Sequence, residues 1–355
     1  MPSLSKPFSV AFRLLAGTAV AVFAFTSPAV AAPEVTVGYV ALGDSYAAGV
    51  GAGTESTACR ITDGAYARQW AGTGQVDLTL AACSGADSAD VLGTQLGAID
   101  AETDLISLTV GTNDLKLVDT LRLCAAAPQG EACTTAIAAI PQALATTVPA
   151  GVGRLLAGIR TKAPAAKLVV TGYPLPFADV AQCPQLPLPA ALRTAGNQAV
   201  SGLNQVLAAQ AKAADATFVD VAEVFAPHAQ CTQQPWLVGA EGLSNETVLH
   251  PTLTGQTEGY LAAFTEQAGS VDDIIAWIRD RATTPPSATP SASASASAPA
   301  DGGSTAGGET GGSGGGLPVT GPGVAAILGV GLMLVAVGTL AYLRWRPRRI
   351  RTVAE

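Results

Sequence analysis

The sequence predicts a parallel α/β sheet with helices on both faces. Five apolar runs rich in Val, Ile and Thr recur along the middle of the chain, and longer Ala/Leu-rich stretches with helical spacing separate them. Strands that alternate with helices are typical of parallel sheets. The runs are continuously apolar, as expected of strands that are covered on both faces.

The elements follow in a regular order. The predicted strands are 35–42, 76–82, 105–110, 167–173 and 216–221. Helical spacing is clearest at 150–160 and 193–214, and residues 270–280 (SVDDIIAWIRD) predict a last amphipathic helix. A segment of roughly 250 residues is long enough for one well-buried core. Residues 32–282 are therefore predicted to form a single domain.

The first 31 residues have the pattern of a secretory signal peptide. Two basic residues are followed by an apolar run (14–25) and then by Ala29-Val30-Ala31. A charged region, a short apolar core and an Ala-x-Ala site are the parts of a cleavable signal. An uncleaved anchor helix is the alternative, but about twelve apolar residues are too few to span a bilayer comfortably.

The other end of the chain is not globular in composition. Residues 283–316 are almost wholly Pro, Ser, Ala, Thr and Gly, which predicts a linker that cannot bury enough apolar surface to fold. The motif LPVTG follows at 317–321. Residues 324–343 carry no charge and are long enough for a transmembrane helix. The arginine-rich tail, 344–355, favours the cytoplasmic side.

This order of motif, apolar span and basic tail resembles the sortase sorting signal of Gram-positive surface proteins. In that family a sortase cleaves between the threonine and the glycine of the motif, here Thr320 and Gly321, and joins the threonine to peptidoglycan. The resemblance implies a secreted protein anchored to the cell wall. A plain membrane tether is the alternative.

The processed chain would be strongly acidic. The full sequence has 19 Lys and Arg against 27 Asp and Glu, and residues 32–321 keep 12 of the former and 26 of the latter, a net charge of −14. This charge argues against a nucleic-acid partner, because binding to nucleic acid depends on cationic contacts to phosphate.

All six cysteines lie within residues 32–282. An even number of cysteines in a secreted chain predicts disulfides, although six cysteines allow about fifteen pairings. Zinc is the competing interpretation. The sequence has no Cys-x-x-Cys motif and no paired histidines, so we expect no metal site.

Three polar blocks follow the first three predicted strands: GDSYAAG (43–49), CSGAD (83–87) and GTND (111–114). Ligands of open α/β sheets bind beyond the carboxyl ends of the strands. A serine, a glycine amide and an asparagine amide that converge there would supply a nucleophile and oxyanion donors. Taken singly, the serine and the aspartates could merely cap helices and the glycine could merely form a turn. Three blocks in register on successive strands favour a site.

Together with the late LHPT (249–252), these blocks resemble the SGNH hydrolases, also called GDSL esterases and lipases, over residues 35–268. The chain is most similar to a secreted actinobacterial branch with three disulfides, through ACSGAD, VVTGYPLPF, FVDVAEVFAPHAQC and LHPT. The resemblance implies a three-layer α/β/α fold with a parallel five-stranded sheet of flavodoxin-like topology. It also implies ester hydrolysis without a cofactor by a monomeric catalytic domain.

The resemblance assigns roles to individual residues. Ser45 is the nucleophile and His250 the base, while the amides of Ser45 and Gly85 and the side-chain amide of Asn113 form the oxyanion hole. The other histidine, His228, is expected to have a structural or rim role. The implied disulfides are Cys59–Cys83, Cys124–Cys133 and Cys183–Cys231.

The triad acid is missing from its usual place. Three residues before His250, where the family has an aspartate, the chain has Thr247. The main-chain carbonyl of Thr247 is the favoured orienting group; the carboxylate of Glu246 or an acid from elsewhere are the alternatives. A carbonyl keeps the correct tautomer and gives up about 1–2 kcal/mol relative to a charged partner, which corresponds to a rate loss of about 5- to 30-fold.

The predicted function is hydrolysis of carboxylic esters by a wall-anchored serine esterase or lipase, acting on a lipid or a small ester. A carbohydrate O-acetyl esterase that acts on wall or host glycans is the alternative within enzymes. An inactive surface-display protein is the alternative outside them. The fold does not determine the acyl length.

Overall fold

The computed structural model describes residues 34–283 except Gln185, Pro187 and residues 240–245. The predicted signal peptide, sorting motif, transmembrane helix and basic tail lie outside the described residues. The predicted linker does so as well, apart from Thr283, which ends the last helix.

Five parallel strands form one sheet. They are β1 (Val37–Gly43), β2 (Val76–Leu80), β3 (Leu105–Thr109), β4 (Lys167–Thr171) and β5 (Thr217–Val219). Their order across the sheet is β2-β1-β3-β4-β5. The register sets Val37 opposite Val76 between β1 and β2, and Tyr39 opposite Leu105 between β1 and β3. The predicted parallel sheet is thus confirmed.

The burial of the strands explains why they could be predicted from the sequence. Every residue of β3 is buried, and β1 and β4 each have one residue that is only half-buried. By contrast β2, at the edge of the sheet, alternates between half-buried and exposed residues. Central parallel strands are covered on both faces and therefore need continuous apolar runs.

Helices lie on both sides of the sheet. They are α1 (Ser45–Ala48), α2 (Tyr66–Ala71), α3 (Ser88–Asp90), α4 (Leu117–Ala126), α5 (Glu131–Ala145), α6 (Thr147–Lys162), α7 (Ala190–Ala213), α8 (Ala222–Phe225), α9 (Ala262–Ala268) and α10 (Val271–Thr283). The helices predicted at 150–160, 193–214 and 270–280 correspond to α6, α7 and α10. A π-helical segment, Gly255–Leu261, leads into α9.

Alternate residues of β1 enter two separate cores. Val40 and Leu42 pack in the core that α6 and α7 cover, whereas Tyr39 and Ala41 pack in the core that α2, α9 and α10 cover. This alternation follows from the two-residue period of a strand. The result is the three-layer arrangement that the sequence predicted.

Helices α4 and α5 form a hairpin that packs beside α6 and α7. The disulfide Cys124–Cys133 joins the two arms of the hairpin. Within the described part of the chain, no single helix is long and apolar enough to cross a membrane; α5 and α6 reach that length and hydropathy only as a pair bent by 44°.

The turn after β1 requires a glycine. Gly43 has φ of 131°, and a Cβ at this position would lie 2.1 Å from the carbonyl oxygen of Thr109 on the neighbouring strand. The Gln95 side chain occupies both polar groups of Gly43, accepting from its N–H at 2.8 Å and donating to its carbonyl at 2.8 Å. The turn therefore delivers the next residues to the carboxyl edge of the sheet in one fixed direction.

Candidate active site

Ser45 and His250 meet at the carboxyl edge of the sheet. Ser45 is the first residue of α1, directly after the Gly43 turn, and Asp44 caps that helix by accepting from the Tyr46 amide at 2.9 Å. His250 Nε2 lies 2.7 Å from Ser45 Oγ, although 205 residues separate them in the chain. An imidazole at this distance can take the hydroxyl proton when the serine attacks a carbonyl.

The other ring nitrogen of His250 has a main-chain carbonyl of its own loop as partner. Nδ1 lies 3.2 Å from the carbonyl oxygen of Val248. Hydrogen bonding to the backbone of Thr247 and of Val248 raises the pKa of His250, against the larger effect of burial. The sequence favours the Thr247 carbonyl as the partner of Nδ1, and the structure adds the Val248 carbonyl.

His250 is poised as a neutral base. Only 6% of the residue is exposed. Burial lowers the pKa of His250 to about 4, and the positive charge of Arg60 lowers it further, while the two carbonyls and Glu55 oppose that shift. The cause is that a buried imidazolium loses its hydration. The imidazole is therefore uncharged at neutral pH and can accept a proton.

Glu246, the alternative orienting group, faces another partner. Its carboxylate is 74% exposed and forms an ion pair with Arg60 at 3.2 Å. Arg60 also forms a two-pronged contact with Glu55, at 2.6 and 2.9 Å. The carboxylate nearest to His250 in sequence is therefore bound to a guanidinium rather than to the imidazole.

The predicted oxyanion donors line the same cavity as Ser45 and His250. Gly85 has φ of 87°, and the amides on either side of it are used by Cys59 and Cys83, whose carbonyls accept at 3.1 and 3.2 Å. Among the described residues, the amides of Ser45 and Gly85 have no acceptor. They are free to donate to a ligand.

The side chain of Asn113 is held in place by a neighbouring loop. Its side-chain amide donates to the carbonyl of Ala86 at 3.0 Å, which joins the loop after β3 to the loop after β2. An amide nitrogen carries two protons, so one remains for a ligand. Asp114 reinforces the same junction by accepting from the Ser88 amide at 3.1 Å and the Ser88 hydroxyl at 2.5 Å.

Asp44 has a larger role than the helix cap that the sequence suggested. Its buried carboxylate also accepts from the hydroxyls of Tyr173 at 2.5 Å and Thr112 at 3.2 Å. Burial raises its pKa to about 6, and these hydrogen bonds limit the rise. One carboxylate thus connects the turn before Ser45, the Asn113 loop and the segment after β4. No short motif signals such a contact, because the two hydroxyl partners come from two distant blocks.

The cavity beside Ser45 has a volume of about 580 Å³. One end holds the polar groups described above. Most of the other lining residues are apolar and come from α4, α5, α7 and the segment after β4, although Lys116, Asp119 and Arg122 also line the cavity; the large apolar members are Leu117, Leu121, Ile137, Ile140, Phe177 and Leu192. Apolar walls with a few convergent polar groups at one end are typical of a ligand pocket.

The three disulfides join Cys59 to Cys83, Cys124 to Cys133 and Cys183 to Cys231, the pairs that the family resemblance implies. The first lies two residues before Gly85, and the second joins α4 to α5, two of the three helices of the apolar cavity wall. His228 does not contact Ser45 or His250. Its ring stacks on Trp236 with centroids 3.6 Å apart, and its Nδ1 lies 2.9 Å from the Gln234 carbonyl.

Comparison with known proteins agrees with this geometry. The model of the GDSL-like lipase/acylhydrolase family matches residues 41–257. A lipase of Streptomyces rimosus is 39% identical over an alignment of 265 residues that covers 73% of this chain and 97% of the relative. Lipase 1 of Streptomyces coelicolor is 38% identical over 237 residues, covering 65% of this chain and 87% of the relative.

Solved structures show the same relationship. The extracellular lipase of Streptomyces rimosus superimposes with a TM-score of 0.62 at 37% identity, over 65% of this chain and all of the other. Phospholipase A1 of Streptomyces albidoflavus gives a TM-score of 0.61 at 36% identity, over 66% of this chain and all of the other.

Proposed function

Because the chain belongs to the GDSL-like lipase/acylhydrolase family and is a carboxylic ester hydrolase, we propose that it works through an acyl-enzyme on Ser45 with His250 as the base. The observation that carries this assignment is the 2.7 Å contact between Ser45 Oγ and His250 Nε2. It joins the proposed nucleophile directly to a buried neutral imidazole, the pairing that nucleophilic catalysis needs.

The chemistry follows from the positions of these groups. Ser45 Oγ attacks the ester carbonyl while His250 Nε2 takes its proton. The amides of Ser45 and Gly85 and the remaining N–H of Asn113 donate to the oxyanion. His250 then returns the proton to the leaving alkoxide, and water repeats the sequence to release the acid. Loss of one oxyanion donor typically costs about 100- to 1,000-fold in rate.

Ser45 and His250 form a catalytic dyad in which main-chain carbonyls, rather than a carboxylate, orient the base. A carbonyl can only accept, so Nδ1 keeps its proton and Nε2 stays available as the acceptor. The neutral hydrogen bond is about 1–2 kcal/mol weaker than one to a carboxylate, a deficit of about 5- to 30-fold in rate. The 3.2 Å contact to Val248 and the engagement of Glu246 with Arg60 support this assignment.

The substrate is a lipid ester whose acyl chain lies along the apolar cavity wall. The lipases of Streptomyces rimosus and Streptomyces coelicolor and the phospholipase A1 of Streptomyces albidoflavus support an acyl-lipid substrate. An acetyl group would leave most of the 580 Å³ cavity unused. The cavity therefore favours a lipase over the O-acetyl esterase alternative.

Hydrolysis of aryl esters of graded acyl length tests this substrate class. Each buried CH₂ is worth about 0.8 kcal/mol, so kcat/KM is expected to rise with length and to peak at about eight carbons or longer. Ser45→Ala should abolish hydrolysis of all of them. Activity confined to acetylated glycans would support the O-acetyl esterase, and no activity at all would support the display protein.

Glu246→Gln is the matched control for the dyad. It should keep most of the activity, because the carboxylate faces Arg60. A loss near 10⁴-fold, which is the scale for a disabled triad aspartate, would show a true triad instead.

We further propose that residues 1–31 direct secretion and that LPVTG (317–321) is a sortase substrate that links the protein to peptidoglycan. The order of motif, apolar span and basic tail supports this, and a relative is an extracellular lipase. In producing cells, release should require digestion of the wall. Thr320→Ala should make the protein extractable with detergent alone; equal extraction of both forms would contradict wall anchoring.

A further inference from the structure

We propose that Tyr46, the residue directly after the nucleophile, is a positioning residue that holds the His250 loop against Ser45. The inference rests on the proposed function, since it concerns the same base. The Tyr46 hydroxyl donates to the carbonyl of Leu249 at 2.8 Å. This bond links the short helix of the nucleophile to the residue next to the base, across 203 residues of chain.

The loop needs such a bond because the partners of Nδ1 belong to the loop itself. Thr247 and Val248 lie three and two residues before His250 in the chain. Their carbonyls fix the ring relative to its own loop, but they do not fix the loop relative to Ser45. A displacement of about 1 Å in a reacting group can cost about 100-fold in rate. The position of the loop therefore matters as much as the orientation of the ring.

The backbone at this point is held in a conformation that it would not adopt freely. Leu249 has φ of 61°, in the left-handed region, which costs a side-chain-bearing residue about 1–3 kcal/mol. On one side, the Leu249 amide donates to Val238 at 3.0 Å and the Val238 amide donates to His250 at 2.8 Å. Tyr46 supplies the bond to the side of the nucleophile.

Tyr46 is itself well fixed. Its carbonyl accepts from the Gln256 side chain at 2.9 Å, its ring meets that of Tyr173 edge-on with centroids 5.0 Å apart, and its ring lies 5.2 Å from that of His250. Burial raises the pKa of the Tyr46 hydroxyl, so it remains a protonated donor at any pH at which the enzyme works. A rigid donor of this kind can define where the loop lies.

Tyr46→Phe tests the proposal, because it removes the hydroxyl and keeps the ring. We expect kcat for a short aryl ester to fall about 10-fold, between the factor of a few from a lost neutral hydrogen bond and the roughly 100-fold of a displaced base. KM should stay within about twofold. Inactivation by an aryl phosphonate, which reports only the reactivity of Ser45, should slow in parallel with kcat.

Tyr39→Phe is the matched control. Tyr39, within β1 and four residues before the Gly43 turn, is more deeply buried than Tyr46, and its hydroxyl makes a bond of the same length, 2.8 Å to Ser107. The control should lose stability without losing kcat. If Tyr46→Phe behaves in the same way, the Tyr46 hydroxyl is merely structural and the proposal is wrong.

A double variant separates positioning from a general loss of structure. Once His250→Ala has removed the base, Tyr46→Phe should not lower the residual rate further, since two changes that act through one group are not additive. An additional loss of about 10-fold in that background would contradict the proposal. Full activity of Ser45→Ala would instead overturn the proposed function, and the role of Tyr46 with it.

Discussion

At the scale of single residues, burial of His250 decides how the dyad responds to pH. A solvent-exposed imidazole has a pKa near 6.5, whereas burial lowers that of His250 to about 4. Arg60 and Glu55 are the charged groups that act on it, and their effects have opposite signs. The base therefore stays neutral well into the acidic range, where an ordinary histidine would be charged.

The pH dependence of kcat/KM for a short aryl ester should show this directly. We expect the rate to rise through a limb centred at about pH 4 and to stay level up to neutral pH, because kcat/KM reports the pKa of the free base. Stopped assays in overlapping buffers would measure it. A limb near pH 6.5 would mean that water reaches His250. A limb near pH 6 that Asp44→Asn removes would show that ionisation of Asp44 determines the pH dependence of the rate.

At the scale of elements, two disulfides support two different parts of the site. Cys59–Cys83 fixes the loop after β2, two residues before Gly85, and the Ser84 amide donates to the Cys59 carbonyl at 3.1 Å. Cys124–Cys133 joins α4 to α5, which carry part of the apolar cavity wall. One bond therefore supports the proposed oxyanion loop and the other supports the apolar wall of the cavity.

Removing each disulfide should change activity in a different way. Cys59→Ser with Cys83→Ser should lower kcat by about 10-fold or more for acetyl and octanoyl esters alike, because a displaced oxyanion donor affects every substrate. Cys124→Ser with Cys133→Ser should spare the acetyl ester and lower kcat/KM for the octanoyl ester. Aryl ester assays on both double variants would measure this. Identical profiles would show that the disulfides only stabilise the fold.

The elements also show which features of the fold and the site could be predicted from the sequence. The central strands were predictable because burial on both faces demands continuous apolar runs, and the positions of Ser45, Gly85 and Asn113 followed from the ends of those strands. The Val248 carbonyl was not predictable. Its place at Nδ1 depends on the left-handed backbone of Leu249, which side-chain identity does not reveal.

At the scale of the whole molecule, Asp44 and His250 make opposing contributions to stability. The pKa of Asp44 is raised from 3.8 to about 6 in the folded state, so ionisation between these values destabilises the fold as pH rises. The pKa of His250 is lowered from 6.5 to about 4, so the unfolded state binds a proton first and stability rises with pH over that range. Each shift is worth about 3 kcal/mol. The two contributions nearly cancel between pH 4 and pH 6.

His250→Gln should expose this balance, because glutamine does not titrate. The free energy of unfolding of the wild type, relative to the variant, should increase by about 3 kcal/mol from pH 4 to pH 6.5. Urea unfolding at a series of pH values would measure it. The difference between the two proteins removes the contribution of the other titrating groups. Parallel curves would show that His250 is not desolvated in the folded state.

The long separation of Ser45 and His250 in the chain determines the stage of synthesis at which the proposed activity can first appear. Ser45 emerges early during synthesis, and His250 follows only after 205 further residues. A nascent chain that ends before the loop of His250 contains Ser45 and the loops of Gly85 and Asn113 but lacks the proposed base. Ester hydrolysis by the proposed pair of Ser45 and His250 therefore begins only when almost the whole domain has been synthesised.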